Sequence, residues 1–595
     1  MRRPRSRPSE LPERGPTQIG RVRQVLGATV TVELDRDLAG VAPIYRGRLQ
    51  QVGQIGSLVR VPQGLVDLVG TVSQVGIAEL AGPVAPTEVV HGSERWLQVQ
   101  LLGEVDRGTG RFQRGVGSYP GLDDPVHFST PDQLAAVFPP PGPERLSLGR
   151  LAAAEEVPVS LDAGRLVTRH AAIVGSTGSG KTTAVAALLQ SFMSGGWRAA
   201  NIVVIDPHGE YAQAMGANAS VRSVLGEGTR ALRVPYWALP ATEILRIFAG
   251  SVGSATVSRR FTELVTEARR TFVEQANWLH LDSAAITSDT PVPFDIRPIW
   301  HQLDYDNRET RINKSDPASV CEEDAGDAAT LRSARFRPYN PAGQAPSQGP
   351  FFGTYGTVPD LLRLGLRDPR LAFFQEPEGD PAGDDPLIGV LEEWLGGQCP
   401  VSVLDFNGVP EEAADSAIGV VLNLLFELAV RTPREGPGIG RPSPVLIVLE
   451  EAHRYLGETA AALTRDAANR IAREGRKYGV GLLLVTQRPA ELPDTALAQC
   501  GTLIALRLAN SNDQTTIRAA LPDSVAGLAA VLPSLRTGEA VISGEALVLP
   551  ARTLIDRPDP LPQAEDPSLT PWREEPAVPD VRPALAAWRG IYHSG

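Results

Sequence analysis

The run Gly175-Ser176-Thr177-Gly178-Ser179-Gly180-Lys181-Thr182 constrains this chain more than any other feature. It fits G-x-x-x-x-G-K-[ST]. An apolar stretch, His170-Ala171-Ala172-Ile173-Val174, precedes it, and an apolar-periodic stretch from Thr182 to Met193 follows. Strand, glycine turn and helix are the setting in which this motif acts. Glycines let successive backbone N–H groups curl around phosphate oxygens, and the helix N-terminus adds a favourable partial positive charge. Gly175 through Thr183 are therefore expected to line the phosphates of a nucleotide. Lys181 would reach the β- and γ-phosphates of ATP, and the Thr182 hydroxyl would ligate Mg²⁺. A second apolar run, Asn201-Ile202-Val203-Val204-Ile205-Asp206, completes a βαβ unit and predicts a parallel sheet.

Composition sharpens the weight of Lys181. The chain holds three lysines, Lys181, Lys314 and Lys477, against 54 arginines. A lysine kept against such a bias suits a place that needs a compact ammonium rather than a planar fork. Two of the three fall in motifs.

Four further runs carry chemistry. Val445-Leu446-Ile447-Val448-Leu449 is an apolar strand ending in Glu450 and Glu451. Downstream of a phosphate loop, Glu450 is assigned to the Mg²⁺ shell and Glu451 to the attacking water. The next apolar run, Gly481 to Val485, exits into Thr486-Gln487-Arg488-Pro489, which makes Gln487 the candidate to sense the γ-phosphate. Arg473-Glu474-Gly475-Arg476-Lys477-Tyr478-Gly479 joins a helix to that strand. Its cations suit three uses: an arginine finger in a neighbouring site, a phosphate-backbone contact, or a cationic helix C-terminus favoured by the dipole. In Asp206-Pro207-His208-Gly209-Glu210-Tyr211, Asp206 and Glu210 can organise water or metal, and His208 reads as a packing residue.

The rest of the chain sets the organisation. Residues 1–17 are rich in Arg and Pro and read as a disordered tail. Over 18–150, short β-rich runs (Ala28 to Leu34, Ser57 to Val61, Leu97 to Leu102) alternate with turn residues and predict a small barrel or sandwich, with Pro139 to Pro143 as its exit. An α/β core is expected over 151–240 and again over 396–556, where apolar strands begin at Val401, Val445, Gly481 and Thr502. Between them, 241–395 reads as a mostly helical insertion. Within it, 302–350 is acidic and then rich in Pro, Gly and Ser, and reads as flexible. Residues 557–595 are a Pro-rich tail with a short helix expected over Ala584 to Arg589.

Net charge of −12 excludes a surface that is basic throughout, but not a local basic channel. Cys321, Cys399 and Cys500 lack metal-site spacing and are too few for a disulfide framework. No run of 18 or more uncharged apolar residues appears, and no apolar segment follows the basic N-terminus. A cytoplasmic protein with no membrane span is the expectation.

Taken in order, the strand with GSTGSGKT, then VVIDPHGEY, VLIVLEEAHRYL, IAREGRKYGVGLLLVTQRP and LPSLRTGEAVI resemble the HerA family of hexameric DNA translocases, relatives of FtsK among the RecA-like P-loop ATPases. The resemblance spans most of residues 18–556. It implies a RecA-like α/β core, an N-terminal β-barrel and a helical insertion, assembled as a homohexamer around double-stranded DNA with ATP and Mg²⁺ between subunits. It implies Glu451 as the catalytic glutamate and Arg476 as a finger acting in trans. It implies that Arg169 assists hydrolysis and that Asp206 is the family's acidic residue in DPHGEY. The expected activity is ATP-driven translocation or unwinding beside a partner nuclease in DNA-end processing. The alternative is a ring-shaped ATPase platform that regulates a nuclease or a sirtuin-like NAD-consuming effector in antiphage defence. The VLIVL strand ends in Glu-Glu where many P-loop ATPases carry Asp-Glu. Arg454, Arg465, Arg470 and Lys477 are the candidate pore cations.

Overall fold

A computed structural model describes residues 17–35, 38, 44–45, 48–49, 52–77, 95–226, 228–341, 344–375, 377–458, 460–522, 525–563, 570–573 and 580–588. Most of the expected N-terminal tail and parts of the C-terminal one lie outside these. The short helix expected near the end is observed at Arg582–Trp588; Arg589 lies outside the described residues.

Six of the seven antiparallel strands of the N-terminal sheet form a closed unit: β1 (Gln18–Leu26), β2 (Thr29–Leu34), β3 (Leu58–Gln63), β4 (Val66–Ile77), β5 (Arg95–Asp106) and β6 (Pro125–Phe128), with the short strand Phe112–Arg114 added to β5. Their order is β2-β1-β6-β3-β4-β5, and pairing of β2 with β5 closes the sheet into a barrel. Inward residues alternate along each strand, so Val30, Val32, Val59, Val61, Leu97 and Val99 fill one small core. Closure leaves no unpaired edge among these strands, which favours the barrel over an open sandwich.

The core is one eleven-stranded sheet. Its strands are β7 (Arg145–Leu151), β8 (Ala154–Asp162), β9 (Ala171–Val174), β10 (Asn201–Asp206), β11 (Ala219–Ser223), β12 (Val401–Asp405), β13 (Val445–Leu449), β14 (Val480–Thr486), β15 (Thr502–Ala505), β16 (Glu539–Gly544) and β17 (Ala551–Ile555). The order is β8-β7-β17-β16-β15-β9-β14-β13-β10-β12-β11. Strands β15 through β11 in that order run parallel, and the remaining four add antiparallel pairs. β14 thus stands between the strand that feeds the glycine loop, β9, and the strand that ends in two glutamates, β13. This is the RecA-like arrangement. Because β7 and β8 belong to this sheet, the boundary expected at residue 150 falls inside a hairpin of the core. The barrel strands end at Phe128.

Both faces of the parallel strands are covered, which is why they read as unbroken apolar runs rather than alternating ones. Ala172 and Val174 of β9 pack on one side with α9 (Glu411–Arg431) and α10 (Ala462–Tyr478). Ala171 and Ile173 pack on the other with α1 (Pro131–Val137), α2 (Ala163–Thr168) and α3 (Lys181–Ser194). One stretch, Ala413–Arg431 of α9, is long and apolar enough to cross a membrane, yet 72% of it is buried inside this fold.

The insertion supplies α4 (Ala241–Ala249), α5 (Ala255–Gln275), α6 (Ile296–Arg308), α7 (Val358–Leu366) and α8 (Pro386–Trp394) to the α9 side of the core. A fully buried arginine, Arg269, pins it by donating to the carbonyls of Trp237 and Leu239 at 2.8 and 2.7 Å. The segment 302–350, expected to be flexible, carries the end of α6 and two small antiparallel pairs, Thr310–Arg311 with Ser347–Gln348 and Glu322–Asp324 with Arg335–Phe336.

Candidate nucleotide site

The glycine loop lies at the carboxyl ends of the parallel strands. Gly175 N–H donates to the Thr486 carbonyl at 3.3 Å, Ser176 N–H to the Arg507 carbonyl at 2.8 Å, and Gly538 N–H to the Ser179 carbonyl at 3.0 Å. Three strand ends therefore hold the loop. Gly175 admits no side chain: a Cβ there would lie 2.5 Å from Ser179 Oγ and 2.9 Å from Leu506 Cβ. At Gly178 a Cβ would meet nothing within 4 Å, so the mouth of the loop is open. Helix α3 begins here with no side-chain cap, and Ser179 Oγ is buried without a partner. Unspent helix donors, a buried free hydroxyl and an open mouth fit a phosphate chain.

Lys181 Nζ lies 3.4 Å from the Ser176 carbonyl. Burial lowers its pKa, and the Glu451, Glu450 and Glu210 carboxylates work against that fall. The Thr182 hydroxyl donates to Glu210 Oε2 at 2.9 Å. The carboxylate that meets the Thr182 hydroxyl is thus Glu210. Glu450 is buried and accepts a hydrogen bond from the Tyr211 hydroxyl on Oε1. Burial pushes its carboxyl up to about 8, the Tyr211 hydrogen bond opposes that rise, and the neighbouring Glu451, Asp206 and Glu210 charges add to it. Among the described residues no cluster of three or more His, Cys, Asp or Glu forms a metal site. Thr182, Glu210 and Glu450 are the residues here that would hold a Mg²⁺ ion bound with the nucleotide.

Asp206 is held by three backbone donors. Its Oδ1 accepts the N–H groups of His208 and Gly209 at 3.2 and 2.9 Å, and Oδ2 accepts that of Tyr211 at 3.0 Å. These bonds tie it to the turn that presents Glu210 and Tyr211. Glu451 leaves β13 with φ +50°, in the left-handed region that non-glycine residues rarely adopt. Its Oε2 is buried without a hydrogen-bond donor and lies 3.3 Å from His453 Nδ1. Gln487, one strand over, accepts from Thr177 Oγ1 at 2.7 Å.

Arg476 and Arg169 stand apart from this group. Arg476 is exposed near the C-terminus of α10, at the end where β14 begins, while Gln487 follows the end where β14 finishes. At about 3.3 Å per residue the strand alone separates those ends by roughly 20 Å. Gly479, at φ +76° and with no room for a Cβ beside the Gly440 carbonyl, makes the turn that fixes this geometry. Arg169 precedes β9 on the same edge of the sheet, and its guanidinium is 3.3 Å from Glu545. Neither arginine reaches its own glycine loop.

Of the candidate pore cations, Arg454 pairs with Glu411 at 2.7 Å, Arg465 with Asp466 at 3.8 Å, and Arg470 with Glu427. Lys477 lies over the Tyr478 ring at 5.3 Å. Sequence reading missed Tyr211, His453 and Arg507, whose Nη2 is 3.4 Å from the Gly178 carbonyl. Tyr211 and His453 sit inside quoted motifs, but their partners lie on other strands.

Two family descriptions match the chain: "Helicase HerA, central domain" over residues 146–333 and "Helicase HerA-like C-terminal" over 373–549. A probable helicase of Methanocaldococcus jannaschii is 25% identical over 504 residues, covering 82% of this chain and 85% of its own. The DNA double-strand break repair helicase HerA of Pyrococcus furiosus is 26% identical, covering 72% and 71%. That of Sulfolobus acidocaldarius is 25% identical, covering 82% and 84%. Among solved structures, VirB4 of Thermoanaerobacter pseudethanolicus aligns with a TM-score of 0.43 at 13% identity, over 69% of this chain and 96% of its own.

Proposed function

The chain is an ATP-hydrolysing member of the HerA family, and from that premise we propose that it works as a ring of identical subunits, six by family analogy, that draws double-stranded DNA through its centre beside a nuclease that processes DNA ends. The observation that carries the reading is the separation of Arg476 from its own phosphate loop by the length of β14. Arg507 of the same chain meets the loop at the Gly178 carbonyl, while Arg476, the candidate finger, is held away from it and would act in a neighbour's site.

In this reading the loop from Gly175 to Thr183 holds the triphosphate through backbone N–H groups. Lys181 binds the β- and γ-phosphates. Mg²⁺, held at Thr182, supplies neutralisation of the phosphate charge. Glu451 accepts the proton of the attacking water, and Gln487 orients towards the γ-phosphate. Arg476 of the adjoining subunit stabilises charge that builds up only in the transition state, with Arg169 assisting from the same edge. Asp206 holds the turn that carries Glu210 and Tyr211. The relatives named for double-strand break repair support DNA as the substrate and end processing as the setting.

The test is ATP turnover with and without duplex DNA, alongside the native mass of the assembly. The expected result is a DNA-stimulated ATPase in a closed ring, abolished by Lys181→Ala. A protein that stays monomeric with ATP, Mg²⁺ and duplex, or full turnover in Lys181→Ala, overturns the reading. Copurification would identify the partner as a nuclease or as an NAD-consuming effector.

A further inference from the structure

His453 lies where β13 and β14 exit the sheet, against Thr486 of β14 and Glu451, which follows β13. Its side chain is 11% exposed. Nδ1 is 3.0 Å from Thr486 Oγ1 and 3.3 Å from Glu451 Oε2, while Nε2 faces Glu491 at 4.0 Å. Arg488 and Arg454 are the nearby cations. Thr486 is fully buried, and its hydroxyl oxygen already accepts the Arg488 N–H at 3.0 Å. Its backbone carbonyl accepts the Gly175 N–H of the phosphate loop. The Ala452 N–H, between Glu451 and His453, donates to the Val485 carbonyl at 2.9 Å.

Glu451 itself is poorly held. Its backbone is in the left-handed region, and Oε2 is buried with no donor among the described residues. A buried carboxylate oxygen beside a bare ring lone pair at 3.3 Å would be repelled. A proton on Nδ1 removes that repulsion: the Nδ1 hydrogen bond runs to Thr486 Oγ1, and the positive N–H edge attracts the Glu451 carboxylate from 3.3 Å.

We propose that His453 is the positioning residue for Glu451: its Nδ1–H aims the carboxylate and ties that aim to Thr486, and through Thr486 to the loop that grips the phosphates. The proposal rests on reading Glu451 as the base. Loss of grip at the loop would reach Glu451 through one side chain, so hydrolysis would depend on a correctly seated phosphate chain. His453 touches neither nucleotide nor water in this role. Its effect is confined to the chemical step.

The experiment uses the full-length assembly and compares His453→Ala, His453→Asn, His453→Gln and Glu451→Gln, with ADP binding measured by calorimetry and steady-state ATP turnover. Asn places an amide N–H near the Nδ1 position, whereas Gln places it near Nε2. His453→Ala is expected to lower kcat on the order of 100-fold, the scale of a misplaced catalytic group, with ADP affinity within about twofold of the parent. His453→Asn should recover most of kcat and His453→Gln should not. The double variant His453→Ala/Glu451→Gln should be no slower than Glu451→Gln. Full kcat in His453→Ala while Glu451→Gln is inactive overturns the positioning role alone. An Asn variant as slow as Ala, or ADP affinity falling in step with kcat, does the same. Normal turnover in Glu451→Gln removes the base assignment and the proposal with it.

Discussion

The hydroxyl of Thr177 donates to Oε1 of Gln487 across 2.7 Å, joining the phosphate loop to the exit of β14 over 310 positions of sequence. In the proposed reading, the side chain that would meet a γ-phosphate is parked on the loop that would bind the same nucleotide. Binding has only to exchange one acceptor contact for another. Gln487→Ala is expected to lower kcat about 100-fold, the scale for one transition-state donor, with KM little changed. Steady-state kinetics check this; a rise in KM at constant kcat would make Gln487 a uniform binding residue.

Arg476 gives a prediction about assembly. It is exposed, and among the described residues its side chain has no hydrogen bond or ion pair to lose, so Arg476→Ala should melt with the parent protein while losing turnover on the order of 1000-fold. Mixing Arg476→Ala with Lys181→Ala, each inactive alone, should restore part of the activity, because some interfaces would pair an intact loop with an intact arginine. No recovery in the mixture would place Arg476 outside the neighbour's site.

Arg169 separates stability from function. Its ion pair with Glu545 at 3.3 Å is partly exposed on both sides, so breaking it should cost at most about 1 kcal/mol. Arg169→Ala should therefore leave the thermal midpoint nearly unchanged and still slow ATP turnover. A midpoint that falls by many degrees would make the residue structural.

The pH dependence of stability follows from two buried groups of opposite sign. His170 accepts the Leu482 N–H on Nδ1, and burial lowers its pKa to about 4 against an ordinary 6.5. The unfolded chain binds the extra proton first, so this stability is present above about 6.5 and lost as pH falls towards 4, on the order of 3 kcal/mol. His127 of the barrel, lowered to about 4 chiefly by burial, acts in the same direction. Glu450 is raised from 4.5 to about 8, so its contribution is present below 4.5 and lost as pH rises through 8. Thermal midpoints should peak near pH 6 to 7. His170→Asn, which keeps an acceptor and tolerates φ +51°, should flatten the acid limb. Glu450→Gln should flatten the alkaline limb; unchanged limbs would refute both assignments.

The motifs and strand cores were legible because their information is local. Asn201–Asp206, Val401–Asp405 and Val445–Leu449 fall where unbroken apolar runs ended in carboxylates, and GSTGSGKT opened a helix as its spacing required. The hairpin of β7 and β8 was misplaced because its partner, β17, lies about four hundred residues downstream. No local pattern marks a strand as belonging to a distant sheet. Segment 302–350 misled for a related reason: its small pairs are held by packing on α6, not by apolar content of their own.

By itself the sequence determined that a phosphate loop, two glutamates and a polar strand exit occur in this order, since each is a contiguous pattern read at its own spacing. Only the tertiary structure decided which of them meet. It gave Thr182 to Glu210, turned Glu450 towards Tyr211, set His453 between Glu451 and Thr486, and put Arg476 on the far edge. Strand order and the length of β14 fix those distances, and neither is written in any one stretch of chain.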